Sequence, residues 1–278
     1  MFVAIGSLAL QQELTYLKPN DIDLVAHPSL EAEWDKKFTV RKRVKDLKTV
    51  YDGIEVEWAR PGTSAELILN RAPSATRKLV RLGPTPLASR EVLKGIMRAH
   101  LCFSVQWGKH IERYVQLDSL WDDEVFRLRQ AETAERVGYK PERYRQSNAE
   151  FFKDGVKRDQ AHDSLHEIFK FGDKPAYQAI KYDQTSAAIE IELFEKLHHE
   201  DKLKTIWEEL LVLGWERVLS KRYVDARTVL DMERLARRFL FGMATNYLPL
   251  EFRCFVIDNY KELLKGFPYY KWEDYISI

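Results

Sequence analysis

Asp21-Ile22-Asp23-Leu24 sets two carboxylates two residues apart at the head of an apolar run, Leu24-Val25-Ala26. In an extended strand alternate side chains share a face, so Asp21 and Asp23 point the same way, about 7 Å apart along the strand. Like charges at that spacing repel. A divalent cation between them removes the conflict, and carboxylate oxygens suit Mg²⁺. Upstream, the short apolar segment Phe2 to Ile5 ends in Gly6-Ser7. A Gly-Ser turn that opens a helix offers backbone N–H groups to a phosphate. Together these features describe a site for metal-assisted nucleotide chemistry. The plainer reading is a βαβ unit whose Asp residues only cap and solvate a strand end.

The elements that must position these residues are legible as an alternation of strand and helix over the first 85 residues. Strands are expected at 2–5, 21–26, 38–44 and 53–59, with a helix from Leu8 to Leu17. A third acid comes from Ile54-Glu55-Val56-Glu57-Trp58, where Glu55 and Glu57 both oppose the apolar face. The period of two leaves both open. Arg60-Pro61-Gly62-Thr63 reads as a turn into a helix, with Thr63 as N-cap and Glu66 three residues on, a capping box. Pro73 and then Gly83-Pro84-Thr85-Pro86 punctuate the module, which puts a boundary near residue 86 and divides the chain into 1–86 and 87–278.

Beyond that boundary helices dominate. Ser89 can cap a helix through Leu101, a second is expected over 109–120 and a third over 122–136. Residues 138–148 read as a polar loop. Another helix follows through His162 to Phe171. The segments 186–197, 201–219, 225–243 and 249–265 carry apolar residues at three- and four-residue spacing. The predicted class is α+β: a small mixed-sheet domain followed by a mostly helical domain.

Ile5-Gly6-Ser7, the segment Leu8 to Leu17 and Asp21-Ile22-Asp23-Leu24 resemble the DNA-polymerase-β-like nucleotidyltransferase superfamily over roughly residues 1–85. The resemblance implies a catalytic triad of Asp21, Asp23 and a third acid on a later strand. It favours Glu55, which lies between Ile54 and Val56, although the family more often carries Asp there. It further implies Mg²⁺ or Mn²⁺ held by Asp21, Asp23 and Glu55, with Gly6 and Ser7 cradling the β- and γ-phosphates of a nucleoside triphosphate. The implied reaction moves a nucleoside monophosphate to a hydroxyl of an RNA, a protein or a small molecule. The whole chain is also similar to uncharacterised nucleotidyltransferase-like proteins of tailed bacteriophages, which implies the host cytoplasm. A degenerate, non-catalytic module on the same fold is a further reading.

A second constellation lies in the helical part. His162 and His166 fall four apart on one helix face, Asp163 adjoins them, His100 and Lys109-His110 lie upstream, and Asp225 and Asp231 downstream. This set resembles metal-dependent phosphohydrolases, which implies that His110, His162, Asp163 and a later Asp bind a divalent metal and activate water. The same histidines read equally as helix-surface or satisfied core residues. Alternatively, Lys109, His110 and His162 line a nucleotide cleft between the domains and contact phosphates. The basic stretches 38–44 and 76–81 could clamp a triphosphate or a nucleic-acid backbone, or protect edge strands by charge.

Composition bounds the rest. The chain has 278 residues, enough for two compact domains, and 45% hydrophobic with 12% aromatic residues supply a sizeable core. Its 44 basic and 43 acidic groups leave a net charge of +1, so any nucleic-acid binding needs a local patch. Cys102 and Cys254 make no disulfide framework, which fits a reducing cytosol. Met1 to Leu10 lacks the basic leader of a signal peptide. No apolar run approaches the roughly 20 residues that span a bilayer.

Overall fold

The computed structural model describes residues 1–44, 47–103, 107–139, 191–203, 206 and 250–264. The chain forms two compact units, Met1–Leu101 with Gly108–Val137, and Cys102–Trp107 with Gly138–Ile278. The architecture is α+β: a seven-stranded mixed sheet in the first part and helices later. The boundary expected near residue 86 falls inside a strand, and the first unit runs on through three helices.

The first unit holds β1 (Phe2–Ile5), α1 (Gly6–Leu10), β2 (Ile22–Ala26), α2 (Glu31–Lys37), β3 (Val40–Val44), β4 (Lys48–Tyr51) and β5 (Ile54–Trp58). These are followed by α3 (Ser64–Asn70), β6 (Ala75–Leu79), β7 (Gly83–Leu87), α4 (Arg90–Leu101), α5 (Trp107–Gln116) and α6 (Asp123–Val137). The sheet order is β3-β4-β5-β2-β1-β7-β6. β2 is antiparallel to β1 and parallel to β5, and β1 is parallel to β7. The basic stretches predicted at 38–44 and 76–81 correspond to the two edge strands, β3 and β6. Their arginines have partners: Arg41 bonds Asp52, Arg43 bonds Glu31 and Asp35, and Arg77 bonds Gln11.

One face of the sheet is closed by an aromatic cluster. Phe2, Tyr51 and Trp58 come from three strands, and Trp34 of α2 packs against all of them with Phe38. Trp34 is 4% exposed. The two buried polar ends are matched: Trp58 Nε1 donates to Thr49 Oγ1 at 3.0 Å and Tyr51 Oη to Asp35 Oδ1 at 3.0 Å. The opposite face carries the alternate residues Asp23, Val25, Lys48, Val50, Glu55 and Glu57, as the strand registers require.

Several local expectations hold in detail. Thr63 Oγ1 accepts from the Glu66 N–H at 3.3 Å, and the Glu66 carboxylate accepts from Gly62 N–H at 2.7 Å, which closes the capping box one residue early. Ser89 accepts from Val92 N–H at 3.4 Å at the head of α4. Asp122 accepts from Val125 N–H at 3.0 Å at the head of α6, and its carboxylate also holds the Arg71 side chain. Gly95 lets α4 approach this cap closely, since a Cβ there would stand 2.9 Å from Asp122 O.

The helix expected over 8–17 ends at Leu10. The chain then turns, with Gln11 Nε2 donating to Leu17 O at 2.7 Å, and buries Leu14 and Leu17 beneath the turn. The Gly83-Pro84-Thr85-Pro86 stretch is β7 rather than a linker. Its alternating prolines lack N–H groups, so the strand pairs with β6 along its length but with β1 only at Ala4–Leu87.

In the second unit, Phe194 of the helix Ile191–Lys196 stacks edge-on against Phe252 of the helix Leu250–Asp258, centroids 4.3 Å apart. Arg253 Nη1 donates to Cys102 O at 2.8 Å. The two cysteine sulfurs are 3.6 Å apart and reduced. Among the described residues no helix is long and apolar enough to cross a membrane.

Because Trp34 joins α2 to three strands, Trp34→Ala should lower unfolding free energy by about 3–5 kcal/mol, measured by urea denaturation followed by circular dichroism.

Candidate active site

Asp23 sits at the crossing of three elements. It lies opposite Ile5 on β1 and opposite Glu55 on β5. Gly6 follows Ile5 directly, with φ +63°, in the left-handed region that glycine occupies without steric cost. A Cβ at Gly6 would overlap the Asp23 carboxylate, 2.9 Å from Cγ. The Gly-Ser bend therefore touches the carboxylate through the missing side chain, for two separate reasons that both demand glycine. Ser7, in the first turn of α1, is buried. The N-cap of α1 is Ile5, which supplies no side-chain hydrogen bond to the first N–H groups.

The electrostatics register the convergence. Burial and the charges of Asp21 and Glu55 push the Asp23 carboxyl up from an ordinary 3.8 to about 6, while Lys109 and Lys48 pull it down. The charges of the other two predicted acids thus reach Asp23, and so does that of Lys109 of α5. Among the described residues no three His, Cys, Asp or Glu side chains are gathered tightly enough to hold a metal ion as they stand. Glu55 gives an oxygen to Lys48, and both side chains are partly exposed. The donor set nonetheless suits a hard divalent cation: three carboxylates, one of them carrying a charge that its surroundings resist.

Register sets Glu55 and Glu57 apart. Glu55 is the residue opposite Asp23, whereas Glu57 is opposite Val25. Glu57 instead accepts from Arg129 Nη1 of α6 at 2.7 Å, and the Arg129 side chain is 9% exposed. Removing either member of such a buried pair strands the other. Glu57 is tied to α6 by a buried guanidinium, and Glu55 has a partly exposed lysine as its partner.

Lys109 and His110 separate. Successive residues on a helix are turned by about 100°, so Lys109 is directed toward the carboxylates while His110 packs against His100 of α4, ring centroids 5.4 Å apart. Burial and nearby cations lower His110 to about 4 and His100 well below the usual histidine range. His162, Asp163, His166, Asp225 and Asp231 lie outside the described residues. Lys48 and Arg129 were not anticipated. Lys48 had a signal: Thr49-Val50-Tyr51 runs into Asp52-Gly53, a two-residue hairpin turn with Gly53 at φ +70°. Arg129 had none.

A family model described as a domain of unknown function, DUF7275, matches residues 92–277. No curated protein and no solved structure matches the chain. The matched span starts within α4. It includes Lys109, His110 and Arg129, and it leaves out Asp21, Asp23 and Glu55.

Asp23 binds its proton more readily in the folded chain than in the unfolded one. Its contribution to stability is therefore present below pH about 4 and is lost as pH rises to about 6, amounting to up to about 3 kcal/mol. Asp23→Asn should abolish this loss, so that the variant is more stable than the parent at pH 8 but not at pH 4. Chemical denaturation at the two pH values measures it.

Proposed function

The chain belongs to the DUF7275 family, and we propose that it is a divalent-metal-dependent nucleotidyltransferase on a nucleotidyltransferase-like fold. In this reading it moves a nucleoside monophosphate from a nucleoside triphosphate to an acceptor hydroxyl. The observation that carries the reading is the position of Asp23. It is flanked by Glu55 across a parallel strand pair, by Asp21 in the bend just before β2, whose charge bears on it, and by Gly6 against its carboxylate.

Asp21, Asp23 and Glu55 would hold Mg²⁺ or Mn²⁺, which when bound supplies charge neutralisation at the triphosphate and activation of the acceptor oxygen. The residues of the chain do the rest. Gly6 lets the bend close onto the Asp23 carboxylate, and the backbone N–H groups of that bend would meet a phosphate. Ser7 adds a hydroxyl and an N–H beside it. Lys109, exposed and within reach of the Asp23 charge, places a cation where the triphosphate would lie. Lys48 neutralises Glu55 in the resting protein and is free to turn to solvent or phosphate when that carboxylate takes another partner. In the overall exchange an acceptor oxygen–α-phosphorus bond forms, the bond to the β-phosphate oxygen breaks, and pyrophosphate carries the leaving charge. The acceptor class stays as the sequence left it: an RNA end, a protein side chain or a small molecule.

The direct test is incubation with each α-labelled nucleoside triphosphate, Mg²⁺ and a cell extract. Label should move to an acceptor. Asp21→Asn and Glu55→Gln should each lower that transfer by at least about a hundredfold, with circular dichroism unchanged. Transfer at the parental rate by both variants would end the proposal. Glu57→Gln should act differently, lowering stability through the buried Arg129 it leaves unpaired, by about 3–5 kcal/mol.

A further inference from the structure

Besides the Ser119 hydroxyl, the buried side-chain polar atoms that lack a hydrogen-bond partner among the described residues all fall on three helices. They are Nδ1 of His100 on α4, Nδ1 of His110 on α5, and Nε and Nη2 of Arg129 with Oγ1 of Thr133 on α6. Buried polar groups in folded proteins are almost always satisfied by protein, water or a bound ion. Five such atoms in one packing interface therefore call for an occupant.

The residues that bear these atoms stand on helices that pack together. The His100 and His110 rings lie 5.4 Å apart, centroid to centroid. α4 packs along α6, and Arg129 and Thr133 lie one turn apart on the same α6 face. The charged side chains that bear on the two imidazoles are Arg129 and Arg136 of α6 and Lys109 and Arg113 of α5, all cationic, while the carboxylates of Glu57 and Glu132 stand on the Nη1 side of Arg129, at 2.7 and 3.8 Å. That field repels a metal ion and attracts an anion.

Arg129 shows what kind of anion. Its Nη1 is occupied by Glu57. Its open edge is Nε with Nη2, the side-on fork whose two parallel N–H groups match two oxygens of an oxyanion. The same edge of Arg71 grips the Asp122 carboxylate, at 2.8 Å from Nε and 3.3 Å from Nη2. A donor set made of that edge, the Thr133 hydroxyl and two imidazole nitrogens, drawn from three helices, suits a tetrahedral group better than a flat carboxylate.

We infer that α4, α5 and α6 form an oxyanion site in which Arg129, Thr133, His100 and His110 bind a phosphate group. The site is separate from the carboxylate cluster: its link to the sheet runs through Glu57, and its occupancy does not depend on nucleotidyl transfer. The phosphate could be free or carried by a nucleotide.

Isothermal titration of the full-length, metal-free protein with inorganic phosphate at constant ionic strength should show saturable binding with one site per chain. Thr133→Val, of the same shape, should weaken it several-fold. Arg129→Lys keeps a cation against Glu57 but loses the fork, and should weaken it by at least about tenfold. Acetate should bind far more weakly. Displacement of phosphate by a nucleoside triphosphate would identify a nucleotide as the source, and lack of displacement would identify free phosphate. The inference fails if the parent shows no saturable heat with phosphate, if acetate binds as well as phosphate, or if both folded variants bind phosphate like the parent. Water would then be what satisfies these atoms.

Discussion

Everything at the candidate active site depends on one opposition: the strand registers force carboxylates together, and the carboxylates resist. Asp23 and Glu55 are locked opposite each other because β2 and β5 are paired along five residues, from Ile22–Ile54 to Ala26–Trp58. Slipping that register by one would send Ile54, Val56 and Trp58 to the wrong face. The apolar face beneath, closed by Trp34, thus holds the acids where they are. Hydrophobic burial on one side of the sheet sustains electrostatic tension on the other. Lys48 and Lys109 soften it without removing it, since the Asp23 carboxyl still ends near 6.

The two glutamates of β5 show how one strand serves two ends. Glu55 and Glu57 share a face, differ by one pleat and meet opposite fates. Glu57 meets a buried guanidinium that ties β5 to α6, so its charge is fixed in place. Glu55 meets a lysine that is 41% exposed, so its partner exchanges with solvent at little cost. A residue that must accept a ligand needs the second kind of partner, and a residue that holds the fold needs the first.

Strands β1, β2 and β5, the capping box at Thr63 and the helices α4 and α6 were legible because each is written locally, in an apolar period, a cap or a turn. Strand β4 was legible in principle through Asp52-Gly53. Strand β7 was hidden by its prolines, which read as punctuation when a strand that pairs fully on only one side tolerates them. The length of α1 was overestimated because Gln11 and Leu17 close a turn that no helical period encodes. The strand period alone did not separate Glu55 from Glu57, since it places both on one face; the family resemblance favoured Glu55, and pairing with β2 sets that residue opposite Asp23. The partition of Lys109 and His110 likewise needs to know which helix stands on each side of α5.

The span matched by the family model does not coincide with a structural piece. It begins at Val92, the third residue of α4, and α4 buries Val92, Leu93, Ile96 and Met97 within the unit that holds the sheet. α4 packs on α6 and α1, α6 packs on α3, and α3 packs on β2 and β5. Glu132 of α6 accepts from the Ser64 N–H at the head of α3 at 2.6 Å, and Arg129 one turn earlier holds Glu57. Cutting the chain at 92 would expose these apolar faces and leave Arg129 buried against nothing. The sheet with its carboxylates and the helices with their orphan donors are therefore parts of one folding unit. Whatever constrains residues of α4 to α6 across the family acts, through that packing, on the geometry around Asp23 as well.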